Sequence, residues 1–167
     1  MYEFTLKFSL SDHSADPEQH LDALFEAGCD DATIGIGKRG AIALNFSREA
    51  VSAQDAVQSA IANVNKAIPG VELIEIAPDI VNLADMADLL GCSRQNLRKY
   101  AAGEVKTVKT VFPEPIHSGA TSFWHFCEIA AWLYRYTELR PNQALAEVAR
   151  IAASLNLELQ RKRIEAA

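Results

Sequence analysis

Apolar and polar positions alternate from the start of the chain, with Phe4, Leu6, Phe8 and Leu10 on one side, the pattern of a strand with one buried face. Asp16-Pro17 then marks a helix start, and Leu21, Leu24 and Phe25 make a short apolar helical stripe that ends at Gly28. Two further apolar runs, Ala32 to Ile36 and Ala41 to Phe46, flank Gly37-Lys38-Arg39-Gly40 and predict a hairpin. A helix is predicted from about Ser52 to Ile68, with Ala56, Ala60, Ile61, Val64 and Ile68 inward and Pro69-Gly70 as its stop. Val71 to Ile76 supplies a last strand. The order β-α-β-β-α-β over residues 1–78 is that of a ferredoxin-like split sandwich, so the expected fold class is α+β. Sensing and dimerising domains share that topology, which leaves a small ligand or a protein partner open for this module.

After residue 78 the period changes to that of short helices. In LADMADLLGCSRQNLRKYAA, Leu83 to Ala102, Ala87 is small where a second helix would cross the first closely. Gly91 stands four positions on, where the turn needs positive φ. Ser93 is placed to cap the second helix, and Leu97 and Tyr100 face back toward Leu83, Met86 and Leu90. Ser93, Arg94, Gln95, Asn96, Arg98 and Lys99 then lie at or near the start of that helix as residue types that contact phosphates and base edges. The plainer alternative is a helical hairpin with a solvated basic face.

Pro113 and Pro115 cannot sit inside a helix, so they mark an extended entry to a hairpin with Gly119 at its tip. The segment Gly103 to Val111, between the second helix and this hairpin, is expected to form an extra strand or to extend the helix. Around the tip, His117, Ser118 and Thr121 either touch phosphate or face water. Ile129, Trp132, Leu133 and Tyr136 follow at helical spacing as one buried stripe, with Trp124 and Trp132 as core anchors rather than stacking platforms for bases. Pro141 to Ile164 predicts one long helix striped by Leu145, Val148, Ile151 or Ala152, Leu155 and Leu159. It is long for the small body it would otherwise cover, which favours pairing with a second subunit.

The run FPEPIHSGATSFWHFCEIAAWLYRY, Phe112 to Tyr136, closely resembles the wing and third helix of MerR-like winged helix-turn-helix proteins, especially the AlpA-like and excisionase-like group. In that group a Phe-Pro-x-Pro segment leads into a short hairpin, an aromatic residue and a helix ending in Trp-Leu. Here those elements are Phe112, Pro113, Pro115, Gly119, Trp124, Glu128, Ile129, Trp132 and Leu133. The resemblance covers about residues 79–137 and implies binding to double-stranded DNA. For the terminal helix it implies a homodimer contact.

Composition narrows the alternatives. With 167 residues, 49% apolar and 23% charged, the chain is ordinary globular material that needs no staples. It has neither an apolar run of about 18 residues nor a basic-then-apolar leader, which predicts a soluble, cytoplasmic protein with no membrane contact. Cys29, Cys92 and Cys127 read as buried thiols, and His125 with Cys127 is too little for a metal site. Gly35-x-Gly37-x-x-Gly40 matches the dinucleotide fingerprint in letters only, because no helix follows it, so no cofactor is assigned. Asp30-Asp31, ahead of a predicted strand, reads as a solvated turn rather than an acidic pair at a site mouth, His13 and His20 have no nucleophile at interpretable spacing, and no enzyme is expected.

The net charge of −6 is unevenly spread: residues 1–78 carry −7 and residues 79–167 carry +1. Arg94, Arg98, Lys99, Lys106 and Lys109 face only Glu104 within residues 91–110. The expectation is therefore a non-enzymatic DNA-binding protein, most simply a dimeric transcriptional regulator: an acidic module (1–78), a winged helix-turn-helix (79–137) and a dimerisation helix (138–167). The alternatives are an excisionase-like DNA-bending factor, and an antitoxin or adaptor whose acidic module covers a partner protein.

Overall fold

In the computed structural model, which describes residues 1–167, the first alternating segment is strand β1, Tyr2–Ser9, with Phe4, Leu6 and Phe8 buried. It pairs antiparallel with β3, Ala41–Arg48, along its whole length, and with β4, Glu72–Ala77, on its other side. Strand β2, Ala32–Gly35, pairs with the far edge of β3, so the sheet order is β2-β3-β1-β4. This register sets Phe4 opposite Phe46, and their rings stack at 5.2 Å. Helix α1, Leu21–Glu26, follows a 3-10 turn capped by Asp16; helix α2, Ala53–Ala67, is capped by Ser52 through the Asp55 amide. Helix α2 buries Ala56, Val57, Ala60 and Val64. Each large apolar side chain enclosed in this core contributes about 1.5–3 kcal/mol.

The inner faces of α1 and α2 depart from the sequence pattern. Phe25 is 69% exposed, because the six-residue α1 turns only Leu24 fully inward. In α2 the inner face includes Val57, while Ile61 is half-buried at its margin.

Alternation along β3 carries a charge to the buried side after Ile42, Leu44 and Phe46: Arg48, at 7% exposure. Its guanidinium donates to both oxygens of Asp31 (2.7 and 2.9 Å), to the Gly28 carbonyl (2.8 Å), and to Ser59 Oγ and Asn63 Oδ1 of α2. Phe46 lies against it at 4.9 Å, and the bond to Asp31 pushes the Arg48 pKa further up. One buried cation thus joins the loop after α1, the end of β3 and α2.

The chain divides into two compact units, Met1–Ala77 with Ser154–Ala167, and Pro78–Ala153. The long helix α6, Gln143–Glu165, is therefore shared, its residues up to Ala153 counting with the second unit and those from Ser154 with the first. In the first unit Asn156 of α6 satisfies both main-chain groups of Ile76 on the edge strand β4, at 2.8 and 2.9 Å. Val148, Ala149 and Ala152 are wholly buried within the chain. The stripe expected to pair subunits is in large part already covered; Leu157 and Ile164 are the large apolar residues that α6 leaves exposed. Pro141 precedes this helix instead of opening it, and Asn142 Oδ1 accepts from the Leu145 amide.

The second unit comprises helices α3 (Leu83–Leu90), α4 (Arg94–Ala101) and α5 (Phe126–Tyr136), the first part of α6, and two short paired strands, β5 (Ile80–Val81) and β6 (Trp124–His125). Its core gathers Met86, Leu97, Phe126, Ile129 and Leu133 around the two tryptophans. Tyr136, expected on the buried stripe of α5, is 44% exposed at the helix end. No helix is long and apolar enough to cross a membrane.

Replacing Arg48 with Ala would strand the Asp31 carboxylate and the α2 acceptors. Asp31 is partly exposed and can rehydrate, so the expected loss sits near the low end for a broken buried pair, about 3 kcal/mol in urea unfolding. A change below about 0.5 kcal/mol, the usual range for surface substitutions, would show that this knot is incidental to the first unit.

Candidate nucleic-acid interface

Helix α3 starts where Asn82 accepts hydrogen bonds from the Ala84 and Asp85 amides and Asp85 accepts one from the Asn82 amide, a reciprocal capping box. It ends at Gly91, whose φ of +63° is left-handed; a side chain would have room there, so the backbone conformation alone calls for glycine. Cys92 bonds back to the Ala87 carbonyl at 3.0 Å, and burial pushes its thiol pKa up. Ser93 then caps α4 by accepting from the Asn96 amide at 3.1 Å. Leu97 is fully buried, and the edge of Tyr100 meets Trp132 at 6.0 Å. These inward contacts leave Arg94, Gln95, Arg98 and Lys99 exposed.

The connection after Gly103 forms neither the extra strand nor the helix extension that its sequence allowed. Gly103, at φ +70°, turns the chain out of the helix direction, and the path is then fixed by side chains. Phe112 is buried with its ring edge-on to Trp124 (5.8 Å) and to Trp132 (5.1 Å). The indole of Trp132 donates to the Val111 carbonyl at 2.8 Å, and that of Trp124 donates to the Pro113 carbonyl at 2.9 Å. Both tryptophans are thus core anchors, 6% and 7% exposed.

A hairpin follows, closed by a bridge between His117 and Phe123. Asp79 brackets its far end: its buried carboxylate accepts from His125 Nδ1 at 2.6 Å, and its carbonyl accepts from the Phe126 amide at 2.7 Å.

The hairpin tip and α4 meet across a recess of about 460 Å³, where Arg94 and Arg98 stand with Thr121, Ser122 and the α3 cap Asn82. A second recess of about 560 Å³ holds Gln95, Arg98 and Lys99 with Glu104. Arg98 lines both. No carboxylate lies within ion-pair distance of Arg94, Arg98, Lys99, Lys106 or Lys109. Lys106 and Lys109 are exposed on the connection and His117 and Ser118 on the hairpin; none of these four lines either recess. Ser93 and Asn96 are joined through the cap, and Asn96 is half-buried.

Sequence reasoning passed over Asn82 and Ser122. The spacing Asn82-x-x-Asp85 ahead of an apolar run is a recognisable capping signal. Nothing local marks Ser122, or the Asp79 and His125 pair, which is 46 residues apart. No protein-family model, curated protein or solved structure matches the chain.

Trp132→Phe retains most of the ring packing while removing the donor to Val111. Val111 is exposed and its carbonyl can take water, so losing the bond should cost about 1 kcal/mol in denaturant unfolding. Equal stability of the variant would mean that the indole hydrogen bond does not hold the connection.

Proposed function

We propose that residues 79–137 are a winged helix-turn-helix of the MerR-like, AlpA/excisionase-like kind, binding double-stranded DNA with α4 in the major groove and the 116–123 hairpin as wing. The observation that carries this reading is the convergence of Arg94 and Arg98 with Thr121: two cations from one helix and a hydroxyl from a distant hairpin line one recess without a carboxylate. A helix fits the major groove, and residues at its exposed start are those that reach base edges. Arg94 and Gln95 hold that place; Arg98 and Lys99 follow one turn later. Lys106 and Lys109 add phosphate contacts from the connection.

The first unit fits a ferredoxin-like sandwich, by its β-α-β-β-α-β order and its antiparallel sheet ordered β2-β3-β1-β4. Being acidic, it would repel phosphate and so help orient the basic surface on DNA. Sequence-specific transcriptional regulation is the role we assign. Burial of Val148, Ala149 and Ala152 within the chain favours a second reading, in which copies bind side by side as an excisionase-like architectural factor rather than pairing through α6.

Selection from random duplexes followed by titration against salt tests the proposal. Three phosphates neutralised by Lys99, Lys106 and Lys109 give a slope of log K against log salt of about −2.7 per bound copy, steeper where Arg94 or Arg98 contacts phosphate instead of a base. Arg98→Ala should weaken binding by about 1–3 kcal/mol and relax preference at one position if the side chain reads a base. Wild-type binding by both Arg94→Ala and Arg98→Ala would remove α4 as the recognition helix.

A further inference from the structure

Three of the five Lys and Arg residues in the acidic stretch 1–78 converge at one place: Lys7, Lys38 and Arg39 line a recess of about 620 Å³ together with His13. Arg48, a fourth, is sealed among its buried partners. No Asp or Glu lines the recess, although the same stretch holds twelve of them. Lys7 is neutralised by Glu75 at 2.8 Å. Lys38 and Arg39 have no carboxylate within ion-pair distance, and Arg39 gives only one Nη to the Ser14 carbonyl. The main-chain N–H groups of Gly37, Lys38 and Arg39 make no hydrogen bond to another backbone carbonyl.

The glycines of this loop separate into two kinds. Gly40 is required by the fold: its φ is +74°, and a Cβ would stand 2.5 Å from the His13 carbonyl oxygen. Gly35 and Gly37 have no positive φ, and a Cβ on Gly37 would meet nothing. The backbone does not demand glycine at either place; the missing side chains instead leave the recess open beside the two unpaired cations.

We propose that this recess binds a small organic phosphate. The phosphate is held by Lys38, Arg39, His13 and the loop N–H groups, and the less polar part of the ligand rests on Ala43 and Ile74. Two cations with several N–H donors suit a dianion with three terminal oxygens. The volume is that of a small-molecule site and exceeds what a bare phosphate fills. The site is built wholly from residues of the first unit and does not depend on the DNA reading.

Amide NMR of the full chain tests it, with inorganic phosphate and adenosine monophosphate each titrated to about 10 mM against chloride at matched ionic strength. Both probes should shift the amides of residues 35–40 and 13, the monophosphate at lower concentration. Lys38→Ala should weaken binding about tenfold, the loss of one charge-assisted contact. Gly37→Val, which fills the opening without a backbone penalty, should abolish adenosine monophosphate binding while leaving the remaining spectrum unchanged. Shifts no larger than those from chloride, or shifts unaltered in both variants, would overturn the proposal.

Discussion

Phe112 enters the second unit between two indoles whose N–H groups take the carbonyls on either side of it. Much of the candidate interface depends on this clamp. Residues 103–115 carry no helix or strand, and ordering such a segment costs about 1–2 kcal/mol per residue in backbone entropy. Two hydrogen bonds of about 1 kcal/mol, two edge-to-face ring contacts and the burial of Phe112 offset part of that cost at one point. Trp132 also meets Tyr100 of α4, and Trp124 forms β6 at the base of the hairpin. Helix and hairpin therefore share one pair of aromatic anchors, which holds Thr121 near Arg94 and Arg98.

Electrostatics divides the chain along the same lines as packing. In the first unit the carboxylates outnumber the cations, and the best-buried cation is consumed in tying β3 to α2. The second unit is nearly neutral overall, yet its unpaired cations concentrate on α4 and the segment after it. A small local excess of this kind acts at short range, within a Debye length of about 8 Å at physiological salt. It suits contact with a highly charged backbone better than long-range attraction.

Local signals were the legible ones. Alternation in β1, the Ser93 cap, left-handed Gly91 and the small Ala87 each express a short-range rule, and each stands where its residues indicated. What escaped was set by distant partners. Arg48 on the inner face of β3 makes sense only with Asp31, Ser59 and Asn63. The apolar stripe of α6 reads identically whether it faces its own chain or another, and only the fold shows Val148, Ala149 and Ala152 already buried. Gly103 to Val111 has strand-like composition, but its end is held by Trp132, 21 residues further along the chain. Within the candidate interface the α4 residues were readable from their spacing, whereas Asn82 and Ser122 join them through tertiary packing.

The central claim is that α4 and the hairpin tip form one DNA-contacting surface. Amide and arginine side-chain NMR of the full chain bound to its selected duplex addresses it residue by residue. The largest perturbations are expected at Ser93 to Lys99 and at Ala120 to Ser122, with slow exchange of the Arg94 and Arg98 guanidinium protons. Perturbations that leave both segments untouched, or that fall on the acidic first unit instead, would contradict it.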